Sequence, residues 1–114
     1  MDCGFVTFWK MPYPGREKQA LDLGPEVVEY WGRLAAEGKC SEPDWFFFSD
    51  HGMWVTKGDP DTLREIVETE EVQRILAKGN LFLDGYGYEF VKTGDAATAQ
   101  MTRYAEVGQE VGLI

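Results

Sequence analysis

The sequence predicts an α+β fold: one antiparallel sheet with its helices on one face. Three observations carry that expectation. The segments run strand (residues 4–10), helix (25–37), hairpin (45–57), helix (60–77) and aromatic strand (86–92). The run Trp45-Phe46-Phe47-Phe48 is apolar on both sides, which suits a strand covered on both faces. The last strand alternates, with Tyr86, Tyr88 and Phe90 on one face and Gly87, Glu89 and Val91 on the other. A βαββαβ order specifies a ferredoxin-like sandwich. In a chain of 114 residues the expected cover for the second sheet face is another copy of the chain. The length suits one domain over residues 1–114, with 95–114 as a C-terminal helical extension.

The first strand places Phe5, Thr7 and Trp9 on one face and Val6, Phe8 and Lys10 on the other. Met11-Pro12-Tyr13-Pro14-Gly15-Arg16 must be a loop, because two prolines and a glycine oppose both ladder and helix. Tyr13 and Arg16 then either line a pocket or serve a plain connector. Pro25 suits the first position of a helix and Glu26 complements its positive end. Val27, Val28, Trp31, Leu34 and Ala35 form one apolar stripe, and Gly38 is a natural stop. Residues 17–23 are read as an extra turn ahead of that helix.

Ser49-Asp50-His51-Gly52 makes the hairpin turn. Asp59 then caps a helix that opens with Pro60. Its apolar stripes, Leu63, Ile66 and Val67 followed by Val72, Ile75 and Leu76, are offset by about one residue. That offset predicts a kink near Thr69-Glu70-Glu71, or two short helices, with a stop at Gly79-Asn80. Gly85 and Gly87 let something bulky approach the last strand. Asp95 caps a final helix through about residue 107, expected to pack one edge through Met101, Tyr104 and Val107. The apolar tail Val111-Gly112-Leu113-Ile114 is a candidate for docking on a partner subunit.

Composition narrows the function classes. Twenty acidic against eleven basic residues give a formal charge of −9, and the basic residues are scattered, which argues against nucleic acid as a partner. No apolar run approaches the roughly 20 residues that span a bilayer. The start, Met1-Asp2-Cys3-Gly4, lacks the pattern of a signal peptide, so the expectation is a cytoplasmic protein without a membrane partner. Cys3 and Cys40 lack metal-ligand spacing and read as free thiols. One histidine and no cysteine pair leave only carboxylates such as Asp59 and Asp61 for a metal, and both are explained as helix-cap residues. Phosphate-binding and nucleophile-elbow glycine motifs are absent, so no cofactor is expected.

Two residues are candidates for acid–base chemistry. His51 is the only side chain whose unperturbed pKa lies near neutrality, and Asp50 or Glu89 would assist it. The competing reading is an ordinary turn residue: neighbours in a strand point to opposite faces, so Asp50 and His51 pair only if a bend brings them together. Glu89, set among aromatics, is either an inward carboxylate of raised pKa or a sheet-edge partner of Lys57. Trp9, Tyr13, Trp45, Phe47, Trp54, Tyr86 and Tyr88 are candidate ligand contacts for a flat apolar molecule. The same aromatics at strand spacing also suit a core or an interface between subunits.

The chain resembles the dimeric α+β barrel superfamily, which includes small monooxygenases, muconolactone-isomerase-like proteins and YCII-related proteins. The resemblance lies in the element order and in the back half: Met53-Trp54-Val55-Thr56-Lys57-Gly58-Asp59-Pro60-Asp61-Thr62-Leu63, an acidic kinked helix, then the glycine-aromatic strand over 86–90. It implies a homodimer formed through the sheet faces, with a pocket between sheet and helices in each subunit. It implies no single activity; oxygenase or isomerase chemistry without a cofactor is among those it allows. The function expected is binding, or cofactor-independent conversion, of a small apolar or aromatic compound. The alternative is a non-catalytic ligand-binding or regulatory module whose aromatics serve dimerisation.

Overall fold

The structure is a computed structural model and describes residues 2–114. The chain runs β1 (Cys3–Trp9), α1 (Glu17–Ala36), β2 (Asp44–Phe47), β3 (Gly52–Gly58), α2 (Pro60–Val67), α3 (Glu70–Phe82), β4 (Gly87–Lys92) and α4 (Gly94–Glu110). The four strands form one sheet in the order β2-β3-β1-β4, with every neighbouring pair antiparallel. This is the α+β arrangement expected from the segment order.

Strand alternation sorts the side chains onto two faces. Phe5 pairs with Thr56 and Phe90, Thr7 with Trp54 and Tyr88, and Trp45 with Trp54, so these residues share the helix-covered face. Val6, Phe8, Phe46, Met53, Val55, Glu89 and Val91 share the open face. The core centres on Phe5, fully buried, whose ring stacks on Trp31 of α1 at 5.5 Å between centroids. Trp31 in turn meets Trp54 at 5.2 Å. Aromatic pairs of this kind contribute about 0.5–1.5 kcal/mol beyond the area they bury. Leu63 of α2 and Val72 of α3 close the far side of the same core.

The helices depart from the sequence reading at informative places. α1 is continuous through Pro25, and the turn expected ahead of it is its first part. Proline cannot donate to the Leu21 carbonyl four residues back, and its ring crowds the residue before it. That preceding residue is Gly24, which has no Cβ to clash, and Leu21 is exposed to water. The expected break in the second helix is real: Thr69 accepts at Oγ1 from the Val72 N–H and starts α3 afresh. The stop expected at Gly79-Asn80 is absent, since α3 continues to Phe82. Gly79 serves a tertiary contact instead: a Cβ there would overlap the ring of Tyr86.

Two further expectations are corrected. β2 is an edge strand, because the hairpin folds it outside β3, and Phe46, Phe47 and Phe48 are all exposed. α4 packs no residue into the core; Met101, Tyr104 and Val107 are exposed, and the helix stands away from the sandwich. The radius of gyration of 16.6 Å accordingly exceeds the roughly 13 Å of a compact domain of this length. The tail folds back on α4 itself, where Leu113 donates its N–H to the Gly108 carbonyl at 2.8 Å. Among the described residues no helix is long and apolar enough to cross a membrane.

Candidate functional site

A cavity of about 410 Å³ opens between the sheet and the N-terminal half of α1, at the end of the sheet where β1 finishes and β3 begins. Its floor is Thr7, Trp9 and Trp54, all on the helix-covered face. Leu23 and Val27 of α1 form the opposite wall. Trp45 and Phe47 of β2 close one side, and Leu83 and Tyr86 close the other. Lys10, Asp50 and His51 stand at the mouth.

The wall is a set of interlocked rings. Trp45 and Phe47 stack at 6.2 Å and 9°, and Trp9 meets both edge-on at 6.2 and 6.3 Å. Gly52 makes room for Trp9, since a Cβ there would come within 2.7 Å of the indole. A side chain at that position would drive the indole into the cavity. Phe47 is 74% exposed, an apolar surface that a bound molecule would cover. Burial raises the Tyr86 phenol well above the ordinary tyrosine range, with the neighbouring Tyr88 adding to the shift.

The loop after β1 is held mainly by backbone bonds. Lys10 and Tyr13 donate their N–H groups to the carbonyls of Asp84 and Phe82, and Asp84 donates back to Met11. Met11 and Pro12 therefore reach the cavity, while Tyr13 does not line it. Arg16 turns aside to the Leu81 carbonyl at 3.1 Å.

His51 and Asp50 do come together. The turn closes through the Phe48 N–H donating to the His51 carbonyl at 2.8 Å, and this bend sets His51 Nδ1 2.7 Å from Asp50 Oδ1. Phe48 stacks on the imidazole at 4.1 Å and 7°. The hydrogen bond from His51 and its charge hold the Asp50 carboxyl below the usual carboxylate range. In the neutral tautomer whose Nδ1–H donates to Asp50, Nε2 would carry a free lone pair at the cavity mouth.

Of the residues singled out from the sequence, the fold gathers Trp9, Trp45, Phe47, Trp54, Tyr86 and His51 around this cavity. Tyr88 packs on Phe5 at 5.7 Å and lies outside it. Glu89 stands on the open face, opposite Val6 in the ladder, so it neither lines the cavity nor approaches His51. In the single subunit the Glu89 side chain is exposed, on the open face with Val6 and Val91. Thr7, Leu23, Val27 and Leu83 were not singled out. A threonine alternating with Phe5 and Trp9 was the one visible signal among them.

Solved structures share this architecture. A protein of unknown function from Bacteroides thetaiotaomicron, described as a possible oxidoreductase, aligns with a TM-score of 0.61 at 14% identity, covering 81% of this chain and 98% of its own. An antibiotic biosynthesis monooxygenase aligns at 0.59 with 19% identity, over 81% of this chain and 96% of the other. A dimeric protein of unknown function from Bacteroides fragilis, described as having a ferredoxin-like fold, aligns at 0.53 with 6% identity, over 80% and 96%. The fold is ferredoxin-like. The resemblance to the dimeric α+β barrel superfamily holds at that level, since identities this low speak to fold alone. The fifth of this chain left uncovered matches the size of α4 and its tail. No protein-family model and no curated protein matches the sequence.

Proposed function

We propose that the protein binds a small, flat, apolar or aromatic molecule in this cavity, and that His51, oriented by Asp50, moves a proton at its mouth. The observation that carries the reading is the aromatic enclosure itself: its volume lies within the range of small-molecule sites, and its charged groups, Lys10, Asp50 and His51, stand together at the mouth. The description of two fold neighbours as a possible oxidoreductase and a monooxygenase is in keeping with small-molecule chemistry on this fold. Nε2 of His51 would be the proton acceptor, with Asp50 holding the ring and stabilising its charged form.

Native mass spectrometry of gently purified protein, followed by equilibrium dialysis with 1-naphthol, tests the reading. Saturable binding that weakens about tenfold or more in Trp45→Ala supports it; absence of saturable binding rejects it. Where a compound co-purifies, His51→Asn should slow its conversion by about a hundredfold or more while changing affinity little. Undiminished conversion by that variant removes His51 from the chemistry. A second reading, a non-catalytic binding module, is favoured by the half-exposed imidazole and by the absence of Glu89 from the site.

The second copy belongs to the same proposal. Val6, Phe8, Phe46, Met53, Val55 and Val91 make the open sheet face largely apolar around the charged Glu89 and Lys57, and a fold neighbour is described as dimeric. Pairing through these faces would cover Phe8 and Phe46, both exposed in one subunit. The buried, free thiols of Cys3 and Cys40 support a reducing, cytoplasmic compartment. The acidic balance argues against nucleic acid as a partner.

A further inference from the structure

The aromatic lining of the cavity carries hydrogen-bond donors that nothing in the protein accepts from. Trp9, Trp45 and Trp54 each bring an indole N–H and Tyr86 a phenol, all without a hydrogen-bond partner among the described residues. Among those residues Thr7 Oγ1 is the one unpartnered side-chain nitrogen or oxygen shut away from solvent, so the four donors keep accessible surface. An indole N–H donates only, and the one carboxylate of the lining, Asp50, is already engaged by His51 at 2.7 Å. Lys10 stands at the mouth. Its stem lies against Gly85, where a Cβ would come within 3.1 Å of Lys10 Cγ. No carboxylate among the described residues forms an ion pair with its ammonium, and its charge bears on Asp50 less than the His51 contact does. A second recess of about 340 Å³, lined also by Phe8 and Gly85, shares Trp9, Lys10, Asp50 and His51 with the aromatic cavity. Lys10 therefore stands where both open.

We propose that the site is selective for an aromatic carboxylate, its rings within the aromatic enclosure and its carboxylate paired with the Lys10 ammonium at the mouth. The inference rests on the cavity reading above and names its ligand class. A carboxylate only accepts hydrogen bonds, which matches a lining whose unpartnered groups donate. Asp50, the one anion of the lining, has His51, while Lys10 has no counter-charge of its own. The chain as a whole carries a formal charge of −9, so an anion is attracted only where a local cation such as Lys10 is presented. A carboxylate at the mouth also favours the charged imidazole, which supports proton uptake at Nε2 of His51. A cationic ring compound, drawn by the indole faces, would meet Lys10 instead.

Equilibrium dialysis of the full chain with 2-naphthoate and 2-naphthamide, isosteres that differ in charge, tests the pairing. Wild type should bind the naphthoate more tightly, and added salt should narrow the preference. In Lys10→Met, which keeps an apolar stem beside Gly85, the ratio of naphthoate to naphthamide affinity should fall about three- to fivefold, the upper range for an exposed ion pair. Lys92→Met, at the opposite end of the sheet, should keep the wild-type ratio. If both compounds bind and the ratio is unchanged in Lys10→Met, the pairing is wrong and the cavity reading stands. An equal fall in Lys92→Met would assign the preference to overall charge and overturn the inference. Tighter binding of 2-naphthylmethylammonium than of naphthoate by wild type would overturn it as well. If naphthoate, naphthamide and 1-naphthol all fail to bind saturably, both readings fall.

Discussion

Replacing Gly79 by alanine sets two effects of known size against each other. In an exposed helix interior that change stabilises by about 1 kcal/mol, because glycine loses more backbone freedom on folding. Gly79 is buried in α3, and the new Cβ would overlap three carbons of the Tyr86 ring. The ring must move, and the free space beside it is the cavity it lines. Overpacking of this kind costs about 1–3 kcal/mol. Taking the middle of that range, Gly79→Ala should destabilise by about 1 kcal/mol net, roughly 4 °C in melting temperature for a domain of this size. In a Tyr86→Ala background the Cβ meets no ring, and the same substitution should stabilise by about 0.5–1 kcal/mol. Urea unfolding followed by tryptophan fluorescence measures all four corners of the cycle. The expected coupling is about 2 kcal/mol. A stabilising Gly79→Ala in the wild-type background, or equal effects in both backgrounds, would refute the contact argument.

Other predictions concern protons and the open face. Burial raises the Tyr86 phenol above its unfolded value of about 10, so its contribution to stability is complete below pH 10 and is lost as pH rises through the folded value. Stability of the wild type should therefore fall more steeply than that of Tyr86→Phe above pH 10 in urea titrations; parallel curves would reject the assignment. Carbon-detected NMR should find the Asp50 carboxyl titrating below the ordinary range, and returning to it in His51→Ala. The sign follows: any stabilisation from this pair is present above the unfolded Asp value of about 3.9 and disappears as pH falls through the lowered one. Sedimentation velocity at micromolar concentration should show a wild-type dimer that Val55→Glu, on the open face, converts to monomer. A wild-type monomer would remove the second copy from the sheet.

Much of the fold was legible because its signals are local. The strand alternation in Tyr88, Glu89 and Phe90 assigned faces correctly, and the one-residue offset between Val67 and Val72 marked the restart at Thr69. The misreadings share one cause, a local signal answered by a distant residue or a permissive neighbour. Pro25 resembled a helix start, yet Gly24 lets α1 run through it. Gly79 resembled a stop, yet it exists to admit the ring of Tyr86. The aromatic run in β2 suggested a central strand; it is an edge whose two faces serve the cavity and the open surface.

The site divides in the same way. Sequence alone determined which side chains share a face, because the period of a strand is two, and so grouped Trp9 with Thr7 and separated Glu89 from Tyr88. Only tertiary structure decided which face the helices cover, and with it that Glu89 is excluded and Thr7 is left without a partner. It also decided that the turn at Phe48–His51 bends the imidazole onto Asp50 beside the cavity. Those outcomes depend on elements far apart in the chain meeting in space, where a void or an unmet hydroxyl is a property of the packing and of no single segment.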